Sequence, residues 1–181
     1  SESSTPTSSS SLYGPTPSIR VNAGKDRIVV VGADSVFEAE TFGIKGDSMD
    51  AERYVWSYGD GARGEGKSVR HAYFYPGEYI VFVDVTSGEY STSDRINVKV
   101  IPADIFISSV LQGVEGYIEI QNNTAYELDL SLWGLYVYGK TFYIPENTFV
   151  KSRMVLKLPA EVTGLSPVSV SDIIFMYSNG K

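Results

Sequence analysis

Apolar residues in this chain recur at every second position over short stretches, and none of those stretches keeps the three-to-four spacing of a helix. In Tyr79-Ile80-Val81-Phe82-Val83-Asp84-Val85, one face collects Tyr79, Val81, Val83 and Val85 while the other collects Ile80, Phe82 and Asp84, which predicts a central strand. Pro76-Gly77 before it and Gly59-Asp60-Gly61 after Val55-Trp56 have the chemistry of tight turns: a preset φ, a free φ, and a carboxylate that accepts backbone N–H groups. Both turns predict antiparallel meanders.

After Pro102-Ala103-Asp104 the pattern begins again, because proline ends the pairing begun by Ile96, Val98 and Val100. Short β-type runs cover 105–110, 116–122, 128–137, 141–145 and 154–158, separated by polar or glycine-bearing turns. The last run, 171–177, leads into an Asn179-Gly180 hairpin turn. The returning strand would begin where the sequence stops, so the second domain is expected to lack its last strand and to leave an edge open beside residues 172–177. That edge is a place for strand pairing with another copy or chain.

Residues 1–20 differ in kind. Ser1-Glu-Ser-Ser-Thr-Pro-Thr-Ser-Ser-Ser-Ser11 has almost nothing to bury, which predicts a flexible Ser/Thr/Pro tether of the sort that spaces an exported domain from its anchor. The first residue is not Met and no basic-then-apolar leader follows, which fits a processed or trimmed fragment. No apolar run is long enough to cross a bilayer as a helix.

The order Trp56-Ser-Tyr-Gly-Asp-Gly61, His71-Ala-Tyr73, Pro76-Gly-Glu-Tyr-Ile-Val81 resembles the PKD domain, a polycystin-type immunoglobulin-like sandwich of cell-surface and secreted proteins. Tyr58 stands where that family commonly has Phe; Val21–Asp26 and Arg95–Val100 fit its first and last strands, so the resemblance spans 21–101. Residues 102–181 resemble a lamin-tail domain through Tyr117-Ile-Glu-Ile-Gln-Asn122, Leu128-Asp-Leu-Ser-Leu-Trp-Gly-Leu135 and Phe142-Tyr-Ile-Pro145, with Leu132 in place of that family's glycine. Together these imply an all-β chain of two tandem Ig-like β-sandwiches.

Composition bears on function mainly by exclusion. Of 181 residues 43% are hydrophobic and 13% aromatic, enough for one or two packed cores. A formal net charge of -7 without clustered Lys or Arg opposes nucleic-acid binding, and the lack of cysteine removes disulfides, thiolate nucleophiles and Cys-based zinc sites. His71 is the sole histidine, and the family pattern gives it a packed, hydrogen-bonded role in place of a catalytic one. Trp56 and Trp133 read as core residues by the same resemblances.

Asp47, Asp50 and Asp60, with Glu52 nearby, are the candidate ligands for calcium, the one cofactor considered; their spacing departs from an EF-hand loop, so solvated loop carboxylates are the default. Tyr136, Tyr138 and Tyr143 are candidates for a protein or carbohydrate contact, against a default of half-buried cross-strand packing. Gly64-Glu65-Gly66 and Gly43-x-x-Gly46 lack the setting of a phosphate loop, and Asn122-Asn123-Thr124 fits the glycan-acceptor pattern. The functional expectation is a noncatalytic extracellular or cell-surface module pair that spaces, displays or adheres. The alternative is an accessory substrate- or carbohydrate-binding region of a secreted hydrolase.

Overall fold

The computed structural model describes residues 18–181, and almost every regular element in it is a strand. Ten precede Pro102: β1 (Arg20–Asn22), β2 (Arg27–Val30), β3 (Asp34–Glu38), β4 (Glu40–Phe42), β5 (Ser48–Met49), β6 (Arg53–Ser57), β7 (Arg63–Glu65), β8 (Ser68–Ala72), β9 (Gly77–Ser87) and β10 (Tyr90–Ile101). They form a five-stranded sheet β2-β10-β9-β6-β7, a three-stranded sheet β1-β4-β5 and the pair β3-β8. The expected alternation in β9 is what builds the core: Val81, Val83 and Val85 are fully buried while Ile80, Phe82 and Asp84 face out. Trp56 fills the centre, its ring 5.8 Å from Phe37 and its Nε1 donating to the Gly66 carbonyl at 3.0 Å.

Eight strands follow: β11 (Ile105–Leu111), β12 (Tyr117–Asn122), β13 (Leu128–Asp129), β14 (Gly134–Val137), β15 (Lys140–Tyr143), β16 (Phe149–Val150), β17 (Val155–Pro159) and β18 (Ile174–Met176). One helical turn, α1 (Ala160–Thr163), and a 3-10 turn over Val170–Asp172 interrupt them. The sheets are β11-β12-β17, β15-β14-β18 and the pair β13-β16. Ile118, Ile120, Leu128, Leu130, Leu135 and Ile144 are buried between them, with Trp133 at the rim against Phe175 and Tyr177. The molecule is therefore an all-β chain of two sandwiches, and no helix among the described residues is long and apolar enough to cross a membrane.

The two cores do not part cleanly at Pro102. β2 pairs in parallel with the end of β10, Val30 opposite Ile101, and both side chains pack with Ala33 into the core of the second sandwich. The C-terminal segment returns the contact. A Cβ on Gly32 would sit 3.2 Å from the Tyr177 ring, and the Asn179 amide donates to the Gly32 carbonyl at 3.2 Å and to Asp34 Oδ1 at 3.3 Å.

Three expectations need correction. The tether expected over 1–20 lies outside the described residues except at its end, where Ile19 is buried in the first core and Arg20 opens β1. Pro76-Gly77 does not make a meander: β8 pairs with β3, whereas β9 pairs with β6 and β10, so this turn carries the chain from one sheet to the other. The run 128–137 is broken at 130–133, where the Trp133 N–H donates to the Leu130 carbonyl and Leu132 takes φ 64°. A leucine held there costs roughly 1–2 kcal/mol. The conformation is imposed by the neighbouring strand, since the Leu132 N–H donates to Ile144 O and the Ile144 N–H donates to Trp133 O, both at 2.8 Å.

Candidate functional site

His71 is part of a closed structural network. Its Nε2 lies 2.7 Å from Asp60 Oδ2, its ring stacks on Tyr58 at 4.0 Å and 3°, and its edge meets Tyr73 at 4.7 Å. The Tyr73 hydroxyl donates to the Tyr58 carbonyl at 3.0 Å, and burial pushes its phenol well above the usual range. Gly59 holds the turn because at φ 83° a Cβ would come within 2.8 Å of the Ile80 carbonyl oxygen. Across the β3-β8 pair His71 faces Ser35, and the imidazole's hydrogen bond goes to Asp60.

Partial burial would raise the Asp60 carboxyl, but the Ala62 N–H donating to it and the bond with His71 outweigh that and hold it below the ordinary value of 3.8. A depressed folded-state pKa gives stability that is present above 3.8 and lost as pH falls through the folded value. Acid titration of the first sandwich should show this loss below about pH 4, and Asp60→Asn should flatten it. An unchanged acid limb in the variant would assign the loss to other carboxylates.

The remaining calcium candidates lie apart. Asp50 pairs with Lys67 at 2.6 Å, and Asp47 sits in the β4–β5 turn, where its carbonyl accepts from the Gly43 N–H at 2.8 Å. Glu52 follows β5 in an exposed loop. Among the described residues no three His, Asp or Glu side chains gather as a metal-binding group.

The tyrosines divide. Tyr136 and Tyr143 lie on the outer face of β14-β15, opposite the buried Leu135 and Val137, and the Tyr143 ring partly covers the notch left by Gly134. Tyr138 sits in the turn between these strands at φ 46°, and its hydrogen bond to the Asp172 carboxylate pushes the phenol up. β18 pairs with β14 alone, so it is an edge of its sheet among the described residues. The Asn179-Gly180 turn forms as expected, with the Tyr177 N–H donating to the Lys181 carbonyl at 2.9 Å.

Asn122, read as a glycan acceptor, is fully buried and serves as a polar hub. Its Nδ2 is shared by the carbonyls of Tyr126 (2.8 Å), Val150 (2.9 Å) and Lys151 (3.1 Å), while its Oδ1 accepts from the Thr124 N–H and hydroxyl. No saccharide can reach it in the folded chain. Nothing in the tripeptide signals this, because the carbonyls it serves come largely from a loop nearly thirty residues away.

One concavity was missed by sequence reasoning, since it belongs to neither sandwich alone. A cleft of about 1250 Å³ runs between the outward face of β2, β9 and β10 and the β13 and β16 strands of the second sandwich with the 130–133 segment. Ile28 and Ile80 line one side, Leu132 and Phe149 the other. Apolar side chains edged by charge line most of it, with Ser35, Ser131 and Ser178 among the polar positions.

No curated protein sequence matches the chain. Among solved structures it is similar to the PKD domain of human KIAA0319, at 21% identity and TM-score 0.38 over 57% of this chain and 99% of that one. It is also similar to a carbohydrate-binding module of the β-sandwich superfamily (16% identity, TM-score 0.37, 80% of this chain and 84% of that one). A third likeness is to three N-terminal domains of the bacteriophage RB49 outer capsid protein Hoc (13%, 0.35, 88% and 66%). No functional inference passes from chains this distant. Residues 16–100, which span the first of the two sandwiches, match the sequence family of the PKD domain.

Proposed function

We propose that this chain is a noncatalytic pair of extracellular or cell-surface modules, the second of lamin-tail type, that holds interaction surfaces at a fixed distance and angle within a larger protein. One observation carries the reading: Val30, Ala33 and Ile101 of the first sandwich pack into the second core, while Tyr177 and Asn179 of the second dock on Gly32 and Asp34. Interfaces between domains of one chain are by default small and mobile, so a core shared across the joint is the feature a rigid spacer needs. The PKD family match favours a module of this class.

Paired spin labels, one on each sandwich, test it. A single narrow distance distribution is expected for the native chain, broadening when Tyr177→Ala and Asn179→Ala are combined. A broad distribution in the native chain would overturn the rigid-spacer reading.

A further inference from the structure

The cleft between the sandwiches holds an unusual residue. Of the four non-glycine residues with positive φ among the described residues, Asn147 is of a type that tolerates this conformation, Tyr138 is tied to Asp172, and Arg153 donates to Asn123 at 2.6 and 3.0 Å. Leu132 is held by its backbone bond to Ile144, and its side chain has no such polar tie. Its aliphatic side chain is 41% exposed and lines the cleft, where a glycine would relieve the backbone. Phe149, 53% exposed, stands on the same side, and Ile80, 43% exposed, lines the opposite wall. Backbone strain that presents an apolar side chain to solvent in a cavity points to a ligand contact.

Charge narrows the ligand. On the first-sandwich side Lys99 pairs with Glu78 at 3.5 Å, Arg70 approaches Asp34 at 4.0 Å, and Arg27 donates to the Val36 carbonyl while lying over the Phe37 ring. Lys25 and Arg27 are the cations left without an ion pair there among the described residues. The wall that carries Leu132 and Phe149 has only acids in the cleft, Glu127 and Asp129, both exposed and neither in an ion pair among the described residues. Asp129 accepts from the Ser131 N–H at 2.9 Å.

We infer that this cleft binds an extended peptide segment of a partner protein, one that inserts a large apolar side chain between Ile80 and the Leu132–Phe149 wall and sets flanking Lys or Arg residues against Glu127 and Asp129. Ile80 and Leu132 are aliphatic and Phe149 is an exposed ring beside them, a lining that suits a leucine or isoleucine side chain, and the acids supply the charge complementarity. The volume exceeds that of typical small-molecule pockets. The inference rests on the display-module reading and fails separately from it, because a rigid pair that binds no peptide sinks only this proposal.

Selection of a random dodecapeptide display library on the full chain tests it. Enriched peptides should share an apolar residue flanked by Lys or Arg, and a fluorescein-labelled synthetic copy should bind more weakly as salt rises. Its affinity should fall at least tenfold with Leu132→Gly and with Phe149→Ser, while Leu132→Gly keeps or raises the melting temperature. That pairing of equal or greater stability with lost binding separates a contact residue from a structural one. No enrichment, acid-flanked winners, or affinity indifferent to both variants would overturn the proposal. So would a glycan-array ligand or self-association in sedimentation that the same two variants abolish.

Discussion

Asn122→Ala is expected to destabilise the second sandwich by about 3–4 kcal/mol, since each buried polar group left without a partner costs roughly 1–3 kcal/mol and several lose theirs together. The amide nitrogen alone serves carbonyls from Tyr126, Val150 and Lys151, and its oxygen orders Thr124, whose hydroxyl oxygen in turn accepts from the Tyr126 N–H. With total stabilities of about 5–15 kcal/mol, such a loss takes a large part of what holds a domain folded. Urea denaturation followed by amide exchange should place the damage in β12 and the 148–153 segment first. A loss below about 1 kcal/mol would mean that water enters and replaces the side chain, and the hub assignment would fall.

Trp56→Ala should cost the first sandwich about 3–5 kcal/mol, the usual range for truncating a buried indole, with the Gly66 carbonyl left unpaired as well. The indole is fully buried between Phe37 and the Val81–Val83–Val85 row, so little can collapse into the space. Trp56→Phe keeps part of the volume while losing the rest together with the N–H donor, and should cost roughly half as much. Thermal melts of the two variants check this. Equal losses from Ala and Phe would show that the Gly66 bond, more than packing, is what the indole supplies.

The sequence disclosed the elements whose causes are local. Alternation in β9, the Gly59-Asp60-Gly61 turn and the Asn179-Gly180 turn are each set by residues a few positions apart, and each forms where its residues place it. What could not be read involves partners distant in the chain. Leu132 takes a glycine-like conformation because Ile144 dictates it, and Val30 leaves the first core for the second because Ile101 and the Tyr177 segment meet it there. Asp47, Asp50 and Asp60 lie close in sequence yet fall in separate turns with separate partners. The cleft was illegible for the same reason, because it exists only once two sandwiches are set against each other.

The burial of Asn122 has a consequence for manufacture. Oligosaccharide transferase acts on the unfolded nascent chain, so in a eukaryotic secretory host the Asn122-Asn123-Thr124 tripeptide is open to modification before β12 finds its neighbours. A sugar attached then would occupy the place of the Tyr126 and Val150 carbonyls and bar closure. Yield in such a host becomes a race between the enzyme and the closing sandwich, and a bacterial host avoids the race.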